Sequence, residues 1–241
     1  MIKFYTHVLE HNGANPRYDV FARVLRYSSG DVVTVRNITC DDRDLKNSCK
    51  LHGTYFQNTR KTIHHEDLIA RHDDGEYVAL LDADMFVLRA IHPELLEAVR
   101  GADIAITYRG PHDKFKFNSG LFVTRVSSLT RRLHAEWVAT CKRFLANPRE
   151  YRRYAHTYGG INQSSLACVL EQSEFKAINI AKLSTLEWNA IVSDHASAVD
   201  NARIVHILGP LRREILSSKR TSTLSKLWEA QYDGYRVHNC C

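Results

Sequence analysis

The chain has 241 residues, 44% hydrophobic and 25% charged, with 11 Gly, 5 Pro and 6 Cys. Those proportions fit a globular domain and exclude intrinsic disorder, collagen and a small disulfide scaffold. No apolar run approaches the roughly 18–20 residues that cross a bilayer, and Met1–His7 lacks the regions of a signal peptide, so a cytoplasmic protein of one domain spanning 1–241 is expected. Cys40, Cys49, Cys141 and Cys168 lie far apart and Cys240-Cys241 close the chain, which gives no paired zinc knuckle and points to reduced thiols. The net charge of +6 is uneven. From Arg125 to Gly160 eight basic residues face only Glu136 and Glu150, and a second basic stretch runs from Arg212 to Lys226. Such clusters serve either a polyanion or a solvated helix face.

In chain order, Ile2–Val8 reads as a strand, and 11–16 as a loop rich in turn formers. Phe21, Val24 and Leu25 recur at helical spacing, Gly30-Asp31 breaks the chain, and Val32–Val35 is a strand. A helix is expected from about Tyr55 to Arg71. Tyr77–Leu81 is an unbroken apolar run of the kind buried on both faces of a parallel sheet. Met85–Leu88 follows, then a helix opened by Pro93. Ile104–Thr107 and Gly120–Thr124 are further strands, and Ser127–Asn147 is a long helix ended by Asn147-Pro148. Ile161–Glu171 reads as helix, Ala177–Ile180 and Ile204–Ile207 as late strands, and the tail from about 215 to 241 as peripheral helix. This alternation argues for an α/β fold with a mostly parallel sheet flanked by helices.

Asp82 and Asp84 end the apolar strand, which delivers them to the carboxyl edge of the sheet, where open α/β folds bind ligands. Alternate residues of an extended chain point the same way, so both carboxylates can reach one cation while Ala83 faces elsewhere. Their mutual repulsion favours a hard divalent ion such as Mn²⁺ or Mg²⁺, which also holds phosphates. There is no P-loop, no Gly-x-Gly-x-x-Gly after the first strand and no Gly-x-Ser-x-Gly elbow.

Four segments in order resemble one family. Val78-Ala79-Leu80-Leu81-Asp82-Ala83-Asp84-Met85-Phe86-Val87 is similar to the hallmark of the GT-A nucleotide-diphospho-sugar transferases, especially the retaining group with glycogenin and the lipopolysaccharide galactosyl- and glucosyltransferases. Phe117-Asn118-Ser119-Gly120-Leu121-Phe122-Val123 resembles its Phe-Asn-Ser/Ala-Gly strand, and Gly160–Leu166 its Asp-Gln helix start. Val205–Arg212 resembles its His-x-x-Gly-x-x-Lys segment.

The resemblance implies a GT-A (Rossmann-like) fold and transfer of a sugar from a nucleotide-diphosphate donor, a UDP-sugar, to an acceptor hydroxyl with retention. It implies Mn²⁺ or Mg²⁺ on Asp82, Asp84 and His206. Arg212, where the family has Lys, would meet the diphosphate, and Asn118, Asn162 and Gln163 would serve the sugar and the acceptor. Asn162 departs from the family's Asp, which puts the acceptor in doubt. The implied donor-binding set is Thr6, His7, Asn12, Lys61 (with Arg60 as competitor), Asp82, Ala83, Gly209 and Arg212. Trp188-Asn189 resembles a segment bordering the acceptor cleft, with a core Trp and a turn Asn as the other reading. Glycan, protein and hydroxylated-base DNA acceptors all stay open, the last because of the basic segments and with Arg149, Arg152 and Arg153 as its candidate contacts. A non-catalytic nucleotide-sugar or polyanion-binding protein on the same scaffold is the alternative.

Overall fold

A computed structural model of the protein describes residues 1–10, 16–39, 54–109, 115–191, 200–217 and 221–239. The first half runs β1 (Ile2–Glu10), α1 (Pro16–Ser28), β2 (Val33–Thr39), α2 (Thr54–Ala70) and β3 (Tyr77–Leu81). These strands lie parallel in the order β2-β1-β3. After β4 (Met85–Val87) and α3 (His92–Ala98) come β5 (Ile104–Tyr108) and β6 (Phe117–Arg125). The second half continues with α4 (Ser128–Ala146), α5 (Pro148–Tyr158), α6 (Ile161–Leu170), β7 (Ile180–Ser184), α7 (Thr185–Trp188), β8 (Ile204–His206), α8 (Gly209–Leu216) and α9 (Thr223–Asn239).

The six-stranded sheet has the order β2-β1-β3-β6-β5-β7. Only β6 runs against the others, so the sheet is mostly parallel as the alternation of elements implies. Val78–Leu81 of β3 are each no more than 1% exposed, and burial of such side chains contributes about 1.5–3 kcal/mol apiece. On one face Ile104, Ile106 and Phe122 pack under Leu133, Trp137 and Cys141 of α4 and Leu166 of α6. On the other, Phe4, Ala79 and Leu121 meet Leu25 of α1, Leu95 of α3 and Ile204 of β8. The sheet is thus covered on both sides, which leaves its carboxyl edge for a site.

Two features shape that edge. The β5–β6 register jumps between Ile106↔Phe122 and Thr107↔Asn118, which frees Ser119–Leu121 from β5. Gly120 turns its carbonyl to the Asp82 amide instead, at 2.8 Å. Second, β4 and β8 form a separate antiparallel pair, with Met85 opposite His206.

Two sequence expectations need correction. Asn147-Pro148 ends α4 but at once starts α5: the Asn147 side chain caps the new helix by accepting from the Glu150 amide, and proline suits a first helical turn as well as a stop. The strand expected at Ala177–Ile180 begins at Ile180. Ile178 is instead a core anchor after a 3₁₀ turn at Ser173–Phe175, and Asn179 exchanges backbone and side-chain bonds with Asp103 to set the β5–β7 register. At the end of the chain, α9 packs on α1 through Phe21 and Trp228, whose rings lie 5.8 Å apart.

Candidate active site

A cavity of about 410 Å³ opens at the carboxyl edge. β3 carries Asp82 and Asp84 to its floor, and the β4–β8 pair brings in His206 from the distant end of the chain. The Ile207 amide donates to the Asp84 carbonyl at 2.7 Å and the His206 amide to the Ala190 carbonyl at 3.0 Å, so backbone bonds fix the approach. One oxygen of each carboxylate and a ring nitrogen of His206 lie within 4.8 Å of one another.

The hydrogen bonds assign the roles of these atoms. Thr107 Oγ1 donates to the Asn118 carbonyl at 2.5 Å, so it accepts from Asn189 Nδ2 at 2.9 Å. Asn118 Oδ1 accepts from the Gly120 amide and also from Asn189 Nδ2 at 2.7 Å. Both protons of the Asn189 amide are thereby used, and its Oδ1 is left to accept from His206 Nδ1 at 3.0 Å. Nε2 of His206 therefore carries a lone pair. It faces Asp84 Oδ1 at 3.3 Å and Asp82 Oδ2 at 3.7 Å. Burial, aided by Lys61 and Arg109 and opposed by Asp82, lowers the His206 pKa to about 4, so the ring is neutral at pH 7.

The outer oxygens of the same carboxylates are held by cations. Lys61 Nζ donates to Asp82 Oδ1 and, at 2.7 Å, to the Ser119 carbonyl. Arg212 Nη2 donates to Asp84 Oδ2, its Nε to the Ile207 carbonyl at 2.9 Å, and its guanidinium lies over the Tyr18 ring. The inner oxygens and Nε2 thus form three converging electron-pair donors of a hard-oxygen-plus-imidazole set, which fits Mn²⁺ or Mg²⁺. Among the described residues no other group of three His, Cys, Asp or Glu meets that criterion.

The other sequence candidates divide. His7, Ala83, Asn118, Asn162 and Gln163 line the cavity. Asn118 has given its Oδ1 to the network and keeps its Nδ2 for the cavity. Asn162 Nδ2 donates to Ser119 Oγ at 2.7 Å, and Gln163 Oε1 accepts from the Ser119 amide at 3.3 Å. Burial chiefly, then His64, Arg36 and Lys61, lowers the His7 pKa to about 3. Thr6 lies beneath the cavity floor, fully buried, with its hydroxyl donated to the Leu81 carbonyl at 2.9 Å. Gly209 is off the wall; its φ of +52° turns the chain into α8, which aims Arg212 at Asp84. Asn12 lies outside the described residues, as do Cys40, Cys49, Cys240 and Cys241. Trp188 does not border the cleft: it is a core side chain, and Asn189 works behind the wall.

Sequence reading missed Gln57, Asn58, Tyr18, Arg109 and Phe115, which also line the cavity. For Gln57 and Asn58 a signal existed, since they precede Lys61 by four and three positions and share its helix face. Nothing in the sequence marked Asn189 as the residue that orients His206.

No family model matches the chain, and no curated protein matches it in sequence. Solved structures do. A glycosyltransferase involved in glycosylation of the major capsid of PBCV-1 superposes with a TM-score of 0.59 at 12% identity, over 94% of this chain and 99% of that one. The glycosyltransferase GlyE of Streptococcus pneumoniae TIGR4 gives 0.61 at 12% identity, over 99% of this chain but 63% of GlyE. The galactosyltransferase LgtC, solved with donor and acceptor sugar analogues, gives 0.55 at 11% identity, over 97% and 96% of the two chains. The fold of this protein is therefore the GT-A fold of glycosyltransferases.

Proposed function

We propose that the protein is a divalent-metal-dependent glycosyltransferase that moves a sugar from a nucleotide diphosphate sugar, a UDP-sugar, to an acceptor hydroxyl with retention at C1. The convergence of Asp82, Asp84 and the lone pair of His206 in a cavity on a GT-A fold carries this reading. In it, chain 1–241 acts as one catalytic unit. An ion bound between the three side chains supplies positive charge against the diphosphate leaving group. Lys61 and Arg212, which pair with the same two carboxylates, would offer their positive charges to the phosphates of a bound donor. His7 and Gln163 on the cavity wall contact the donor, and the Nδ2 of Asn118 donates to a sugar hydroxyl.

Asp82 and Asp84 are the carboxylates on the described cavity wall, and both are committed to the cation. Among the described residues no carboxylate of the wall is left as a nucleophile or acceptor base, which supports front-side attack with the departing phosphate taking the proton. Neutral Asn162 agrees with that. The acceptor we favour is a glycan; the GT-A likeness gives DNA no support.

The test is turnover of a panel of UDP-sugars with Mn²⁺, by release of UDP. Hydrolysis or transfer that stops with chelator, returns with Mn²⁺, and falls at least roughly a hundredfold in Asp84→Asn supports the reading. Binding of UDP-sugar without turnover would establish the non-catalytic alternative. An inverted anomeric product, seen by NMR, would overturn retention alone.

A further inference from the structure

The cavity wall ends at Gly160, just past α5, and the outer face of that helix is unusual. Arg149, Arg152, Arg153 and His156 stand at i, i+3, i+4 and i+7, within an arc of about 100° at 100° per residue. All four are exposed. The opposite face carries Tyr151, buried with Phe144, and Tyr154 and Ala155, which pack against the same cluster. The acids nearby are already used: Glu150 pairs with Arg143 at 3.0 Å, and Glu171 accepts from Tyr154 at 2.8 Å. Among the described residues, the side chains of Arg149, Arg152 and Arg153 make no ion pair or hydrogen bond, so no described acid balances these three charges on one ridge.

The ridge leads to the cavity. The Tyr158 carbonyl accepts from Gln163 Nε2, Gly159 turns the chain at φ +83° against the Phe115 ring, and Gly160 lies on the wall with Asn162 and Gln163. The C-terminal end of α5 thus runs directly into the cavity wall.

We propose that this face of α5 docks an anionic acceptor, a short glycan bearing phosphate, sulfate or carboxylate groups, and leads its hydroxyl past Gly160. The proposal rests on the transferase reading above and adds the acceptor's chemical class to it. Arginine's planar fork suits such oxyanions. The footprint fits a short polyanion: the three arginines fall within five consecutive positions, about 6 Å of helix rise, enough for two or three anionic groups. Duplex DNA binders commonly neutralise about six to ten phosphates. A membrane surface fits no better, because the apolar side of α5 faces inward and cannot enter lipid.

The test measures binding of a heparin-derived hexasaccharide, maltohexaose, a short DNA duplex and phosphatidylserine-containing vesicles. Each is applied to the unaltered protein and to the triple variant Arg149→Gln, Arg152→Gln and Arg153→Gln, which keeps good helix formers on the exposed face. The expected result is hexasaccharide binding that exceeds maltohexaose binding, weakens roughly tenfold or more in the variant, and loses most of its salt dependence. Equal binding by the two proteins, equal binding of the neutral sugar, or tighter binding of DNA or vesicles would each overturn the proposal. Thermal stabilisation by UDP with Mn²⁺, read on both proteins, reports on the cavity alone, so the two ideas fail separately.

Discussion

Asn189 never touches the cavity, yet it decides which nitrogen of His206 carries the proton and so whether the third donor exists. Replacing it with Ala removes the acceptor for Nδ1 and frees the ring to turn. Mn²⁺ affinity should fall about 10–100-fold, as for other orienting partners of metal-bound histidines, which titration calorimetry or Mn²⁺ EPR would read. Nucleotide binding in the absence of metal should change little. Gly120 has a related duty. A Cβ there would lie 2.5 Å from Met85 Cε and 2.9 Å from both Asn189 Nδ2 and His206 Nδ1. Gly120→Ala should therefore cost about 1–3 kcal/mol in urea unfolding and weaken Mn²⁺ binding together. Arg212→Lys keeps a cation beside Asp84 but loses the bond from Nε to the Ile207 carbonyl. Its expected signature is partial activity with a higher KM for the donor; activity equal to that of the unaltered protein would show that the guanidinium fork has no role.

At the scale of elements, the α4–α5 junction hangs on Asn147, which closes one helix and caps the next. Asn147→Ala should lower stability by about 1 kcal/mol in urea unfolding. What the sequence made legible follows from range. Local signals were readable: the apolar run before Asp82, the long helix from Ser127 and the helix that carries Lys61. Asp82 and Asp84 were read from the strand pattern and His206 from the family resemblance, and the structure brings the three within one site. The second helix at Pro148 was hidden because proline reads equally as a stop and as a start. The antiparallel course of β6 and the separate β4–β8 pair were also hidden, since pairing depends on partners far away in the chain. Asn189 stayed invisible because its function lies wholly in contacts with Thr107, Asn118 and His206, none of which is its neighbour in sequence.

Across the whole molecule, two rings buried between α2, α4 and β6 add to the acid response that His7 and His206 also carry. His65 and His134 have centroids 4.5 Å apart, and Thr124 Oγ1 bonds His134 Nε2 at 2.9 Å. Burial lowers the His134 pKa to about 3, and burial with His134, His7 and Lys61 lowers that of His65 well below its usual value. In the unfolded chain both rings take a proton near pH 6.5, whereas the folded protein refuses it. The unfolded state therefore binds more protons, and stability is full above pH 6.5 and falls as the pH drops towards 3. For His134 the loss is roughly 2 kcal/mol between pH 6.5 and 5, and His65 adds to it in the same direction. Urea midpoints across that range would show it, and His134→Gln should reduce the slope by about one proton while keeping a partner for Thr124.

The pairing of Asp84 with a cation 128 positions further along also sets an order of events during synthesis. A ribosome-bound chain that has not yet emerged past His206 owns two aspartates and no third donor. On the proposed metal-dependent reading, loading of the ion would wait for His206, and a product terminated before it would bind the metal poorly however well its first strands had formed.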